Sequence, residues 1–285
     1  MLPAPARARL RRARAWWRGR QIVPFDPDEQ WFWDHYDSAA AQIVDFYAGA
    51  GVSLVGRTVA DVGCGDGIMA MGVVDRARPA HLVGFDVNAV DSEALLGRAR
   101  RFGVAAELPP TLEFRVSEPT RLPADDATFD AVFTWSAFEH VREPLELLRD
   151  VRRVLKADGV LMLQLWPFHR SAKGSHLWDW FPDDFHHLEQ TEEEIVEQMR
   201  SSDRHTPEWT EYMLGEFQKL NRVRVDELKD AIVSAGFDIR RLHFYSEEAT
   251  LPLGLAARYP LSDLGISGVK LLAVPVRVHG ERRGA

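Results

Sequence analysis

Cysteine is almost missing from this chain, whose 285 residues include one, Cys64. With a single thiol no internal disulfide can form, and we expect a reducing, cytoplasmic setting. Long hydrophobic runs are missing too: no run of about 18 apolar residues occurs, so no membrane-spanning helix is predicted. The hydrophobic content of 46% is ordinary, and the length fits one large domain or one domain with a sizeable insertion.

Positive charge is also scarce and is concentrated at one end. The chain has 35 Lys and Arg against 43 Asp and Glu, a formal net charge of −8. This balance argues against a nucleic-acid partner, which would require a basic groove. Seven arginines and no acid nevertheless fall within the first 20 residues. Residues 1–23 are therefore predicted to form a basic Arg-rich tail, either in weak contact with an anionic membrane surface or loosely docked.

The most informative segment is a glycine turn between two short apolar runs. Residues 59–67 read Val-Ala-Asp-Val-Gly-Cys-Gly-Asp-Gly, and a second apolar run ends nineteen residues later in Asp86. Glycines have no Cβ, so the backbone can turn sharply and approach a ligand. An acid at the tip of the second strand can accept hydrogen bonds from both ribose hydroxyls. The pattern predicts the first half of a nucleotide-binding α/β fold.

The spacing of the glycines separates two classes of cofactor. A dinucleotide fingerprint has glycine at the sixth position of G-x-G-x-x-G, where this chain has Ile68, so a nicotinamide-dependent oxidoreductase is disfavoured. The observed D-x-G-x-G-x-G instead resembles motif I of the class I S-adenosylmethionine (SAM)-dependent methyltransferases. Leu122-Pro123, Glu139-His140-Val141 and the segment 153–159 extend the resemblance over about residues 57–166. It is similar to the type 11-like subgroup, which acts on small molecules, lipids and glycans.

This resemblance implies an α/β, Rossmann-like fold: a seven-stranded mixed sheet whose last strand is antiparallel, with helices on both faces and an inserted helical cap. The apolar periodicity predicts strands at 58–62, 81–86, 112–117, 129–135, 160–166, 237–245 and 269–278. A helix over 143–156 is predicted to end at Ala157-Asp158-Gly159, and residues 246–268 are predicted to form a loop.

The methyltransferase domain is predicted over residues 24–285, with an insertion at 167–222 where the resembled family often has a short connection. The insertion contains two predicted helices, 192–200 and 208–220, and an aromatic and polar stretch at 174–188. It follows the fifth strand at the carboxyl edge of the sheet, where substrates bind in such folds. We therefore predict that it is the substrate cap.

SAM is the cofactor that the resemblance implies. Asp61 would meet its amino end, Asp86 its ribose and Glu118 its adenine amino group. The implied cofactor-binding residues are Asp61, Gly63, Cys64, Gly65, Gly67, Asp86, Val87, Glu118, Trp135 and Ser136. Glu118 departs from the family pattern, which usually has Asp there, and the following Pro119 has no N–H to offer the adenine.

Methyl transfer to oxygen usually needs a base, and histidine is the side chain best suited to that role near neutral pH. The predicted catalytic residues are His140 and His176, with His169, His186 and His187 as weaker candidates. The run Asp183, Asp184, His186 and His187 admits a metal interpretation. Neighbours in sequence seldom all point at one ion, so an exposed polar turn is favoured and no metal is predicted.

The predicted function is methyl transfer from SAM to a small molecule, a glycan or a lipid precursor, at oxygen. The aromatic and polar insertion suits a sugar ring, because aromatic faces stack on sugars while acids and amides bind hydroxyls. Two alternatives stay open: a non-catalytic regulatory or scaffold protein with this fold, and a methyltransferase that acts on protein. The predicted location is cytoplasmic, with peripheral membrane contact through the tail as an option.

Overall fold

A computed structural model describes residues 26–276, so the predicted basic tail lies outside the described residues. The described chain begins with one continuous helical segment, formed by α1 (Pro27–Trp33), a π-helical stretch (Asp34–Ala39) and α2 (Ala40–Ala48). Asp26 caps its start, because its carboxylate accepts hydrogen bonds from the backbone N–H groups of Asp28 and Glu29. The aromatic residues at 31–36 therefore lie within this helical segment.

A seven-stranded sheet forms the centre of the domain. Its strands are β1 (Thr58–Val62), β2 (His81–Asp86), β3 (Leu112–Val116), β4 (Phe129–Trp135), β5 (Leu155–Leu165), β6 (Phe237–Tyr245) and β7 (Gly268–Pro275). Their order is β3-β2-β1-β4-β5-β7-β6. The strands β1 to β5 pair in parallel, whereas β7 is antiparallel to both β5 and β6. The predicted Rossmann-like mixed sheet with an antiparallel last strand is confirmed.

Helices cover both faces of this sheet. The crossover helices are α3 (Ile68–Ala77), α4 (Ser92–Arg101), α5 (Pro144–Val154) and α9 (Val225–Ser234). On one face α5 and α9 bury their apolar stripes against β1, β4, β5 and β7. On the other face α2 and α3 pack on the same strands. Parallel crossovers bring the helices to both sides of the sheet, as is usual for this class of fold.

The boundary between α5 and β5 differs from the prediction. The helix ends at Val154 and the strand starts at once with Leu155, so the prediction of a helix to 156 and a turn at 157–159 is wrong. Leu155 pairs with Phe129, and the ladder then shifts so that Val160 pairs with Ala131. The residues 156–159 are looped out between these two pairings, and strand pairing by Leu155 overrides the helical periodicity.

The segment 167–222 forms a small helical layer with its own core. It contains α6 (His186–Glu189), α7 (Glu192–Ser201) and α8 (Pro207–Lys219). Its buried residues are Leu177, Trp180, Phe181, Ile195, Met199, Leu214, Phe217 and Leu220. The predicted loop at 246–268 contains two further short helices, α10 (Leu255–Arg258) and α11 (Leu261–Gly265). No helix in the described part of the chain is long and apolar enough to cross a bilayer.

Candidate active site

The glycine turn after β1 uses the conformations that only glycine adopts easily. Gly63, Gly65 and Gly67 have φ angles of 79°, 54° and 77°. A Cβ on Gly63 would collide with the Cβ of Ala137, and one on Gly67 would lie 2.6 Å from Phe114 Cζ. Side chains at these positions would therefore strain the turn or push its neighbours away. The spacing D-x-G-x-G-x-G is a consequence of this local geometry.

Asp86 stands at the tip of β2 and holds the turn in place. One oxygen of its carboxylate accepts a hydrogen bond from the backbone N–H of Gly65 at 2.9 Å. The other oxygen accepts one from the backbone N–H of Asn88, also at 2.9 Å. Each carboxylate oxygen can accept a second bond, so Asp86 can bind a diol while it fixes the turn. The predicted ribose residue is thus also a structural clamp.

Asp61 lies beneath the turn, completely buried in β1. Neither of its carboxylate oxygens has a hydrogen-bond partner. Burial, and then the nearby charge of Asp86, raises the pKa of Asp61 well above its usual value. Such an orphaned buried acid calls for an explanation, and a donor from a bound ligand is one. Cys64, in the same turn, is buried and burial raises its thiol pKa, so it packs and does not act as a nucleophile.

The carboxyl ends of β2 and β3 carry exposed apolar residues beside an acid. Val87 and Val116 are 54% and 56% exposed, which is unusual for valines that follow or end buried strands. Glu118 is exposed and its backbone pairs with Arg121. Together with Val116, Glu118 lines an open cleft of about 490 Å³. An apolar side chain next to an acceptor suits a flat heterocycle with an amino group. Val116 was missed because a strand-end valine gives no sequence signal.

Trp135 and Ser136 lie where β4 meets the turn. The backbone N–H and the hydroxyl of Ser136 both donate to Gln164 Oε1, at 2.7 and 3.1 Å. Ser136 is held in a left-handed conformation with φ 46°. Gln164 is buried on the neighbouring strand β5, so a polar side chain from the sheet core fixes this corner of the site. The sequence did not single out Gln164, since its role depends on the register between β4 and β5.

The two predicted catalytic histidines lie together. The rings of His140 and His176 have centroids 5.4 Å apart in an edge-to-face arrangement. His140 Nδ1 lies 3.6 Å from Glu216 Oε2 on α8 and makes no hydrogen bond. Burial lowers the pKa of His140, and Lys219 acts in the same direction while Glu216 opposes it. Burial lowers the pKa of His176 to about 3, so both rings are neutral at pH 7.

The segment 167–222 is fastened to the turn that carries His140. The side-chain amide of Asn221 donates to the carbonyls of Phe138 and Val141, at 2.7 and 2.9 Å. The backbone N–H of Asn221 donates to the carbonyl of Glu139 at 2.8 Å. Three hydrogen bonds from one residue thus fix the end of the insertion to this turn. Asn221 was not predicted from the sequence, because its partners lie about eighty residues away in the chain.

The remaining histidines form a second group inside the insertion. His187 Nε2 is 2.5 Å from the carbonyl of His169, and their rings lie 5.0 Å apart. His186 stacks on Phe181 with centroids 4.3 Å apart. Asp184 is tied to Lys173 at 3.0 Å instead of facing these rings. No group of three or more His, Cys, Asp or Glu within residues 26–276 is placed to hold a metal ion.

Glu139, next to His140, is a buried acid that the sequence did not mark as functional. The residue is 4% exposed, and its Oε2 has no hydrogen-bond partner. Burial raises its pKa to about 8. A protonated carboxyl at neutral pH can donate as well as accept. The motif Glu-His-Val indicated its place but not its burial.

The fold and the glycine turn define a Rossmann-like α/β protein. In such open sheets ligands bind at the carboxyl edge, here that of β1, β2 and β4. Residues 60–163 match the family model described as a methyltransferase domain. This part of the chain is therefore similar to a methyltransferase domain, in agreement with the resemblance of its glycine turn to the SAM-dependent class. The features that fit this cofactor are the close backbone approach at the turn, the orphaned Asp61 and the acid Asp86.

Two relatives each match part of the chain at about one third identity. The chain is 34% identical over 118 residues to the ubiquinone biosynthesis O-methyltransferase of Xanthomonas campestris pv. campestris (strain B100). This match covers 41% of this chain and 46% of the relative. The chain is 32% identical over 111 residues to the sterol 24-C-methyltransferase ERG6B of Gibberella zeae. This match covers 39% of this chain and 28% of the relative. The chain thus spans less than half the length of these relatives.

Solved structures extend the likeness in fold over most of the chain. A geranyl diphosphate methyltransferase in complex with SAM superposes with a TM-score of 0.53 at 17% identity, covering 84% of this chain and 86% of that one. The [4+2]-cyclase SpnF gives a TM-score of 0.52 at 20% identity, covering 84% and 82%. Because one of these neighbours is a cyclase, the shared fold alone does not fix the reaction.

Proposed function

We propose that this protein transfers the methyl group of SAM to a hydroxyl oxygen of a small organic acceptor, a glycan or a lipid precursor. The observation that carries the proposal is the pairing, at one edge of the sheet, of the glycine turn with a neutral, partly exposed imidazole. His140 follows β4 closely, and Glu216 of the insertion lies 3.6 Å from its Nδ1. The relatives named above act, by their names, in ubiquinone biosynthesis and on sterols, which supports an acceptor of this general size.

In this proposal the bound cofactor supplies a methyl group already activated as a sulfonium. The chain's residues orient the two reactants and exclude water, which accounts for much of the rate in such displacements. The acceptor oxygen forms the new bond to carbon, and the bonding pair stays with sulfur. His140 takes the hydroxyl proton, and the carboxylate of Glu216 stabilises the resulting imidazolium. His176, whose pKa is about 3, stays neutral and orients His140 or the acceptor.

Calorimetric titration with SAM and S-adenosylhomocysteine, with NAD as the control ligand, tests the cofactor assignment. We expect micromolar binding of both sulfur ligands and no binding of NAD. An acceptor screen with radiolabelled SAM then follows, beginning with phenols, sugars and lipid-linked sugars. Binding of SAM without transfer to any of them, and transfer to protein substrates instead, would move the assignment to a protein methyltransferase.

The specific alternative is a non-catalytic protein with the same fold, acting as a regulator or scaffold. All three glycines keep positive φ and Asp86 keeps both hydrogen bonds, whereas a relic site has no need of them. These features favour the enzyme. Methyl transfer to any acceptor excludes the alternative, and absence of binding of both sulfur ligands would make it the leading interpretation.

A further inference from the structure

A buried lysine lies on the α2 side of the sheet without an acidic partner. Lys270 in β7 is 9% exposed, and its ammonium donates one hydrogen bond, to Gln42 Oε1 at 3.0 Å. Within residues 26–276 no carboxylate pairs with it. Lysine is almost never buried unless it is paired, because removing an ammonium from water is costly. Burial, and then the nearby Arg241, lowers the pKa of Lys270.

Three aromatic rings surround this ammonium. Lys270 Nζ lies 5.3 Å from the ring centroids of both Trp135 and Tyr245, and 5.6 Å from that of Phe46. Ring faces attract a cation and compensate part of its lost hydration. The compensation is shared, because the guanidinium of Arg241 also stacks on Phe46, 4.4 Å from the centroid. Lys270 and Arg241 therefore both contact the ring of Phe46. Within the described residues neither cation forms an ion pair with a carboxylate.

The register of the sheet places Lys270 in a polar row that leads to the cofactor turn. Trp135 of β4 pairs with Gln164 of β5, Gln164 pairs with Lys270, and Lys270 pairs with His243 of β6. Directly paired residues share a face of the sheet. Gln164 also holds Ser136, as described above. The row lies near the carboxyl ends of β4, β5 and β6 and near the amino end of the antiparallel β7. This edge of the sheet is where ligands bind in open α/β sheets.

We propose that Lys270 binds an anionic oxygen group, a carboxylate or a phosphate, of the methyl acceptor. The proposal rests on the proposed methyltransferase function. The anionic group of the acceptor then supplies the negative charge that pairs with Lys270. Before the acceptor binds, Gln42 and the three rings hold the ammonium in place. Acceptors that carry such a group would be selected over neutral ones of the same shape. Arg241, on the same face, adds to the positive potential.

Binding of simple probes to wild type and Lys270→Met tests this directly. The probes are phenyl phosphate, benzoate and the neutral benzamide, titrated into the S-adenosylhomocysteine-loaded protein and followed by NMR shifts. We expect both anions to bind wild type more tightly than benzamide, and Lys270→Met to weaken them by about tenfold or more. Lys270→Arg should retain the preference. The control Lys229→Met removes an exposed lysine and should behave as wild type.

The idea is overturned if wild type shows no preference for the anions, or if Lys270→Met binds them as wild type does. The same variant is titrated with S-adenosylhomocysteine, and unchanged affinity is expected. A tenfold loss there would assign Lys270 to the cofactor's own carboxylate and overturn the acceptor assignment. If wild type binds no sulfur ligand, the proposed function fails, and the phenyl phosphate titration of the cofactor-free protein still tests the anion site. Should Lys270→Met fail to fold, Lys270→Gln is the substitute, because it can still bond to Gln42.

Discussion

The indole N–H of Trp31 donates a hydrogen bond to the Asp66 carboxylate at 2.9 Å, and this bond joins the first helix to the glycine turn. Arg98 of α4 donates to the same oxygen at 3.1 Å. The turn is therefore held from two sides by residues far away in sequence. Asp66 itself occupies a variable position of the glycine motif, so the sequence alone gave it no role.

Replacing Trp31 by phenylalanine should loosen the turn without removing the aromatic ring. Trp31→Phe loses the bond to Asp66, and we expect S-adenosylhomocysteine affinity to fall several-fold because the turn is less well ordered before binding. Calorimetry measures the change. Trp209→Phe is the matched control, since Trp209 is a comparably exposed indole on α8. Equal affinities for both variants and wild type would mean that the first helix does not contribute to cofactor binding through this bond.

Removing the Asp86 carboxylate should affect the cofactor and the turn together. Asp86→Ala deletes the acceptor of the Gly65 and Asn88 bonds and the candidate ribose partner. We expect S-adenosylhomocysteine affinity to fall by about tenfold to a hundredfold, the range for charged hydrogen bonds of this kind. Asp158→Ala, at an exposed acid on the opposite edge of the sheet, serves as the control. Retained affinity in Asp86→Ala would remove Asp86 from the cofactor site.

The insertion should set the pH dependence of transfer through Glu216. Glu216 raises the pKa of His140 against the larger effect of burial. Glu216→Gln removes that support, so the acidic limb of kcat/KM should move to lower pH while kcat falls. His140→Gln should slow transfer strongly and leave S-adenosylhomocysteine binding nearly intact. Glu211→Gln, on the same helix and bonded to Arg200, should leave the pH profile unchanged. Normal turnover by His140→Gln would exclude it as the base.

Glu139 should make the free protein less stable as the pH rises. Its pKa is about 8 in the folded protein against an ordinary value of 4.5, so the folded state holds its proton more tightly than the unfolded state. The contribution of protonated Glu139 to the free energy of unfolding is therefore fully present below about pH 4.5 and is lost as the pH rises towards 8. Glu139→Gln removes this titration.

Thermal melts of the Glu139→Gln variant at several pH values measure this effect. Its Tm should match wild type near pH 4.5 and exceed it by roughly 10 °C at pH 8, since each pKa unit corresponds to about 1.4 kcal/mol and each kcal/mol shifts Tm by roughly 2–4 °C. Glu107→Gln, at an exposed acid, should follow wild type throughout. A constant Tm difference across this range would mean that Glu139 does not titrate in it.

The sequence predicted those parts of the molecule that are governed by local rules. The strand, the glycine turn and the acid at 86 follow from positive φ angles and from apolar runs, and all fall within thirty residues. The α5–β5 boundary was missed because the strand conformation of Leu155 is determined by its pairing with Phe129. Lys270 and Gln164 were missed for the same reason, because their roles depend on the register between β5 and β7, whose paired residues here are more than a hundred positions apart. Local periodicity carries no information about such pairs.

The insertion leaves and rejoins the domain in one neighbourhood. Phe168, just after β5, and Val225, at the start of α9, line the same groove, and Asn221 fastens the returning chain beside His140. A single continuous stretch of coding sequence therefore carries the whole layer above the catalytic edge. Recombination between related genes could exchange that stretch in one event. Chimeras built at these two junctions would test whether this layer sets acceptor preference while the sheet stays unchanged.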